Sequence, residues 1–315
     1  MRAVVTVVTV ATLFFLDIQA DSEWSYSGEW PAEDEWHEKY PTCRGQRQSP
    51  VDFNSRNINF NRSLLPLDLV NYGEEGLEFS MSNNGHTVEI PLPHSMHLTD
   101  SDGTTYIAQQ MHFHWGGGSS GMSGSEHTFD GIRRAIEIHI VHFNKNYDSY
   151  ENAKDRPDGL AVLAVSVEIQ DYGTNTYYDP FISELASVQY PGQSTTLRNI
   201  NILNMLPQDT RHYYTYQGSL TTPPCTENVK WFVFREPSKI SLLQALKIEN
   251  SVMNHNNETI QNGYRQTQPL NKRVVEANFP SLPGERTSGG PLPSCPIIVP
   301  CREKSTENRY HFVLP

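Results

Sequence analysis

From about residue 51 to residue 279 the chain is a succession of short apolar or alternating runs, separated by Gly, Pro, Asn and Asp. Alternation with a period of two marks a strand with unlike faces, and the punctuating residues mark the turns between strands. The pattern predicts strands over 87–91, 107–115, 135–143, 160–169 and 229–234. Helical periods are brief, and the best cover 180–187 and 241–254. There is no internal repeat and no heptad run. The expected fold is mainly β, with some mixed α/β character and short peripheral helices.

Two of these strands carry chemistry as well as pattern. In Gln109-Gln110-Met111-His112-Phe113-His114-Trp115, successive side chains take opposite faces. Gln110, His112 and His114 therefore share one face, and Met111, Phe113 and Trp115 the other. In Ile136-Glu137-Ile138-His139-Ile140-Val141, Glu137, His139 and Val141 share a face with the isoleucines behind. Two imidazoles at this spacing can grip one ion, and a third on a neighbouring strand completes the set. Three neutral nitrogens leave one tetrahedral position open, which is the pattern of a catalytic zinc site. No thiolate or carboxylate cluster accompanies them, which disfavours iron–sulfur, calcium and magnesium. Gln110 and Glu137 each stand two residues from a histidine, where they can accept its second ring N–H and fix the tautomer.

Composition narrows the class. The chain has 315 residues, 37% of them apolar and 19% charged, enough for one globular domain with extensions. A net charge of −12 makes it a poor ligand for nucleic acid or an anionic membrane. Arg2, the largely apolar run 3–16 and the small Ala20 predict a secretory signal over 1–20. That run is too short for a membrane anchor. A catalytic domain would occupy 21–280. From Ser281 the chain holds Pro283-Gly284, Gly289-Gly290-Pro291 and Pro293, and 281–315 is expected to be an extended or disordered tail with no lipid anchor. Secretion exposes the four cysteines, Cys43, Cys225, Cys295 and Cys301, to an oxidising compartment, where three pairings are open. Asn61-Arg62-Ser63 and Asn257-Glu258-Thr259 are glycosylation acceptors.

The chain resembles the α-carbonic anhydrases over roughly residues 24–280, and among them the secreted, salivary type. The resemblance rests on separated blocks: Gly45-Gln46-Arg47-Gln48-Ser49-Pro50, Asn83-Asn84-Gly85-His86, Gln110-Met111-His112-Phe113-His114-Trp115-Gly116, Ser125-Glu126-His127-Thr128, Glu137-Ile138-His139-Ile140-Val141-His142 and Gly218-Ser219-Leu220-Thr221-Thr222-Pro223-Pro224. It implies a single domain on a large, twisted, mostly antiparallel sheet, with Zn2+ at the base of a conical cleft. The implied reaction is reversible hydration of carbon dioxide to bicarbonate and a proton by zinc-bound hydroxide. His112, His114 and His139 would hold the metal. Thr221 and Glu126 would orient the nucleophile, and His86 would be the proton shuttle. Tyr26 would help order the water chain. Val141, Val162, Leu220, Thr222, Val229 and Trp231 would line the carbon dioxide site beside Thr221. His127 would be a buried structural histidine. His37, His94, His97, His142, His212, His255 and His311 are assigned no zinc role.

The resemblance also places a disulfide where Cys43 and Cys225 fall. Glu89 departs from it, occupying a cleft position commonly held by a neutral amide, where a carboxylate is expected to disfavour bicarbonate or raise the pKa of His86. The tail with Cys295 and Cys301 departs as well and leaves the oligomeric state open. A catalytically inert binding module of the same fold would lack one or more of the three histidines, and all three are present.

Overall fold

The computed structural model describes residues 24–26, 28, 31–118, 122–170 and 173–280. The expected signal over 1–20 and the tail over 281–315, with Cys295 and Cys301, lie outside the described residues. Among those described, thirteen strands form one sheet and three short strands a second. The main sheet runs Ser194–Leu197, Phe79–Asn83, Val88–Pro91, Thr105–Trp115, Ile136–Asn144, Leu160–Gln170, Val229–Phe234, Tyr213–Gly218, Val275–Ala277 and Ile58–Phe60. Most neighbours are antiparallel. The pairs joining Leu160–Gln170 to Val229–Phe234 and to Ser238–Ser241, and Val275–Ala277 to Ile58–Phe60, are parallel.

The predicted strands form within two residues of their expected ends. Two adjacent central stretches, Ile136–Asn144 and the first eight residues of Leu160–Gln170, are buried at every position. A strand covered on both faces reads as a continuous apolar run, which is why Leu160-Ala161-Val162-Leu163-Ala164-Val165 was legible without alternation. One face of the sheet buries Met111, Phe113, Ile138, Ile140, Leu163 and Val165 under Phe181, Leu185 and Ile248 of the peripheral helices. Each such side chain contributes about 1.5–3 kcal/mol of transfer free energy. The opposite face is left for His112, His114 and His139, so the apolar layer fixes which way the imidazoles point.

The helices are shorter than expected. The segment at 180–187 is α-helical only over Asp179–Glu184 and tightens to a 3₁₀ turn over Leu185–Val188. The other helix spans Leu242–Glu249 rather than 241–254. Ser241 caps it in a box with Gln244. It stops early because Asn250 Nδ2 donates to the Leu246 carbonyl at 2.7 Å and Ser251 Oγ to that of Lys247. These polar side chains take last-turn carbonyls that a further helical turn would need.

His142, fully buried in the Ile136–Asn144 strand, is hydrogen-bonded through Nε2 to the Tyr72 hydroxyl. Burial pushes its pKa from 6.5 down to about 3. The unfolded chain then binds the extra proton first as pH falls, so stability is full above pH 6.5 and is lost towards pH 3. This one group sets a slope of at most about 1.4 kcal/mol per pH unit. Denaturant unfolding across that range is expected to show a shallower acid loss in His142→Gln than in the parent protein.

Candidate metal centre and active site

Strand register assembles the imidazoles. His139 stands directly opposite His112, Glu137 opposite His114 and Val141 opposite Gln110. Ring centroids lie 5.0 Å apart for His112 and His114, 5.2 Å for His112 and His139, and 4.5 Å for His114 and His139. One nitrogen of each ring faces away from the group onto an acceptor. His112 Nδ1 donates to Gln110 Oε1 at 2.8 Å, His114 Nδ1 to the Gly263 carbonyl at 2.8 Å, and His139 Nε2 to Glu137 Oε1 at 2.7 Å. Each ring nitrogen facing such an acceptor holds the hydrogen, so the inner nitrogens present lone pairs.

Those inner nitrogens converge. His114 Nε2 and His139 Nδ1 stand 3.1 Å apart, two lone pairs with no hydrogen to share. The buried Glu126 Oε2 lies 3.6 Å from the first and 3.9 Å from the second, and has no hydrogen-bond partner. Burial lowers the pKa of His112 and of His114, so protonation does not relieve the crowding. A buried knot of acceptors beside an orphaned carboxylate oxygen calls for a cation. His112, His114 and His139 have the geometry to hold one, and neutral imidazoles suit zinc.

His127, Glu137 and His139 also stand close enough to hold an ion, but hydrogen bonds already join them. Glu137 Oε1 accepts from His127 Nδ1 and His139 Nε2, each at 2.7 Å, and its Oε2 accepts from the His127 amide at 2.9 Å. His127 Nε2 reaches the Tyr216 hydroxyl at 2.7 Å. Burial alone would raise the Glu137 pKa, but the two histidines and their hydrogen bonds hold it well below the usual carboxylate range. His127, which the resemblance implied to be a buried structural histidine, is buried with both ring nitrogens hydrogen-bonded. Glu137→Gln removes that charge from behind His139, and we expect about 10–100-fold weaker metal binding, read by competition with a chelator.

Beside the histidines several of the residues expected to line the carbon dioxide site lie together, with the Trp231 ring 4.9 Å from that of His139. Val141 pairs with Val162, and Val162 with Trp231. Together with Val229 and the half-buried Leu220 they form one apolar cluster. Thr221 and Thr222 follow in a loop closed by the Leu220 amide on the Thr226 carbonyl at 3.1 Å and the Cys225 amide on the Thr222 carbonyl at 2.9 Å. The loop is pinned by the Cys43–Cys225 disulfide, so the expected pairing is present. Gly218 enters it so tightly that a Cβ would come within 2.1 Å of Ser49 Oγ. The expected hydrogen bond between Thr221 and Glu126 is not formed. Glu126 is instead anchored through Oε1, which accepts from the Arg265 amide at 2.8 Å, leaving Oε2 facing the histidines.

Arg265 and Gly263 are the residues that sequence reasoning missed. Arg265 is buried, and its guanidinium donates to Gln48 Oε1 at 2.8 Å and to the carbonyls of Ser49 and Cys43, each at 3.0 Å. It thereby ties Glu126 to the disulfide segment. Gly263 orients His114 through its carbonyl. No local pattern marks either residue.

His86 is half-buried and stacked on Trp24 at 3.9 Å with the planes 7° apart. Tyr26 packs with Trp24 and Trp36, and burial, then the Glu126 charge, keep its hydroxyl protonated well above the ordinary range. Glu89 sits opposite His112 in the sheet. Its expected effect on His86 is overturned: burial raises the Glu89 pKa, while burial and then His255 lower that of His86 to about 4. Of the glycosylation candidates, Asn257 is exposed in a turn. Asn61 donates to Glu276 Oε1 at 3.0 Å.

The eukaryotic-type carbonic anhydrase family pattern matches residues 31–279. The chain is 56% identical over 316 residues to carbonic anhydrase 6 of Mus musculus, covering 99% of both chains. It is 56% identical to carbonic anhydrase 6 of Homo sapiens, covering 89% of this chain and 91% of that one. To human carbonic anhydrase 12 it is 40% identical, covering 82% of this chain and 73% of that one.

Proposed function

This chain belongs to the eukaryotic-type carbonic anhydrase family, and from that premise we propose that it is a secreted zinc enzyme, a lyase that reversibly hydrates carbon dioxide at His112, His114 and His139. The observation that carries the site assignment is the convergence of three outward-tied imidazoles on one point beside an orphaned carboxylate oxygen. Bound there, zinc would lower the pKa of a coordinated water and supply a nucleophile near neutral pH, a chemistry for which carbonic anhydrase is the standard example.

The chain's own residues do the rest. Gln110, the Gly263 carbonyl and Glu137 hold the imidazoles in the tautomers that turn their lone pairs inward. Val141, Val162, Leu220, Val229 and Trp231 offer carbon dioxide an apolar seat and exclude water from it. Thr221 would orient the attacking oxygen by accepting its hydrogen, and would then donate its own to Glu126 Oε2, a hydrogen bond not formed in the structure, where that oxygen has no partner. His86 accepts the surplus proton and carries it outward.

Secretion is supported by the disulfide and by the N-terminal signal pattern. No helix among the described residues is long and apolar enough to cross a membrane. Carbon dioxide and bicarbonate are the substrates, with no nucleic-acid partner. His86→Ala is expected to slow turnover in weak buffer by about two orders of magnitude. Interconversion of carbon dioxide and bicarbonate should be spared, and added imidazole should restore turnover. Equal loss of both steps would overturn the shuttle assignment.

A further inference from the structure

The position of His86 raises a difficulty for its proposed role. A proton carrier works best with a pKa near the working pH, yet this ring is half-buried, clamped flat against Trp24, and its pKa falls to about 4. A proton placed on His86 needs a second acceptor close by. His255 is one: its ring centroid is 6.5 Å from that of His86, with the planes at 70°. That separation is one a single water can bridge.

We propose that His255 is a second proton-carrying residue of the reaction, taking the proton from His86 and releasing it to solvent. The proposal rests on the carbon dioxide hydration assigned above. Each transfer is balanced. The His86 imidazolium loses one ring proton through a water to the neutral His255 imidazole. His255 then gives a proton to buffer, and both rings return to neutrality.

Three observations support the placement. First, both rings line one cavity of about 190 Å³, together with Tyr26, Glu258 and Gly263. The carbonyl of that glycine holds His114, so the cavity reaches to the backbone that supports the metal centre. Second, His255 is exposed on a turn that its neighbours fix. Asn254 Oδ1 accepts from the amides of Asn256 and Glu258, each at 2.9 Å, and the Asn254 amide donates to the Glu258 carbonyl at 2.8 Å. Third, the His255 ring reaches towards His86 over the backbone of Gly85. A Cβ there would meet His255 Nε2 at 2.2 Å, and φ at Gly85 is +89°, where an L side chain is strained.

The titratable groups facing the two rings across the cavity are Tyr26, which stays neutral, and Glu258 on the same turn as His255. His86 is half-buried and His255 exposed, so a path from the first ring to the second runs outward to solvent.

The test uses the zinc-loaded, full-length mature enzyme and compares the parent with His255→Gln, His86→Ala and the double variant. Isotope exchange separates interconversion from proton transfer, and stopped-flow hydration is run in weak buffer and again with imidazole. The relay predicts that His255→Gln loses several-fold in proton transfer and in weak-buffer turnover and keeps its interconversion rate. Imidazole should restore it, and adding the change to His86→Ala should cause no further loss. A His255→Gln enzyme matching its parent in weak buffer overturns the relay, as does a loss that imidazole leaves unrescued. A parent enzyme that holds zinc but hydrates no carbon dioxide overturns instead the function on which the relay rests.

Discussion

His139→Ala is expected to leave the protein without zinc at stoichiometric metal, and with it to abolish carbon dioxide hydration. The three donors come from two adjacent strands, and His139 is the sole contribution of its strand. It is also the ring tied to the buried Glu137–His127–Tyr216 network. Its loss removes one of three ligands and the link that fixes the site to the sheet. A mere weakening is expected when an outer hydrogen-bonding partner such as Glu137 is changed, because all three nitrogens remain. Metal content after dialysis at one equivalent of zinc reads the result directly, and a fully loaded His139→Ala protein would remove this residue from the ligand set. Alanine at a strand position already buried on both faces keeps the backbone ladder, so circular dichroism should stay close to that of the parent.

Cys43→Ser, or reduction of the bond, is expected to cost about 4–5 kcal/mol by the chain-entropy account, measured values often being lower. The two cysteines are 182 residues apart in sequence, so the cross-link removes a large loop from the freedom of the unfolded chain. Domains are stable by only about 5–15 kcal/mol, so such a loss takes much of the margin and should lower the denaturant midpoint markedly. The effect should also reach the active site. The Cys43 carbonyl accepts from Arg265, the Arg265 amide holds Glu126, and Cys225 closes the Thr221 loop. Activity per zinc should therefore fall in the reduced protein even under conditions where it stays folded. Unchanged activity and an unchanged midpoint would contradict both parts of this account.

What the sequence could reveal followed the range of each interaction. His112 and His114 were legible because a period of two puts them on one face whatever the strand pairs with. Gln110 and Glu137 were legible for the same reason, and both accept the hydrogen bonds expected of them. The register that sets His139 opposite His112 is a long-range property, fixed by packing of the isoleucine face and not by any local signal. The resemblance supplied it. Gly263 and Arg265 act from 149 and 139 residues away in sequence, one through a carbonyl and one through an amide. Backbone groups carry no residue-type signature, so neither was found. The expectation that Glu89 raises the His86 pKa failed because burial, followed by the His255 charge, dominates at that ring and lowers its value. The helix at Leu242–Glu249 was legible at its capped start and misjudged at its end, where two polar side chains compete for the backbone.

The most direct test of the central claim is stopped-flow hydration of carbon dioxide by the mature protein, with zinc counted in the same sample before and after chelation. The account predicts fast hydration proportional to one zinc per chain, lost on chelation and regained when zinc is returned. A chain that holds one zinc at this site and hydrates no carbon dioxide would contradict it, leaving the three histidines as ligands of a binding module and not of an enzyme.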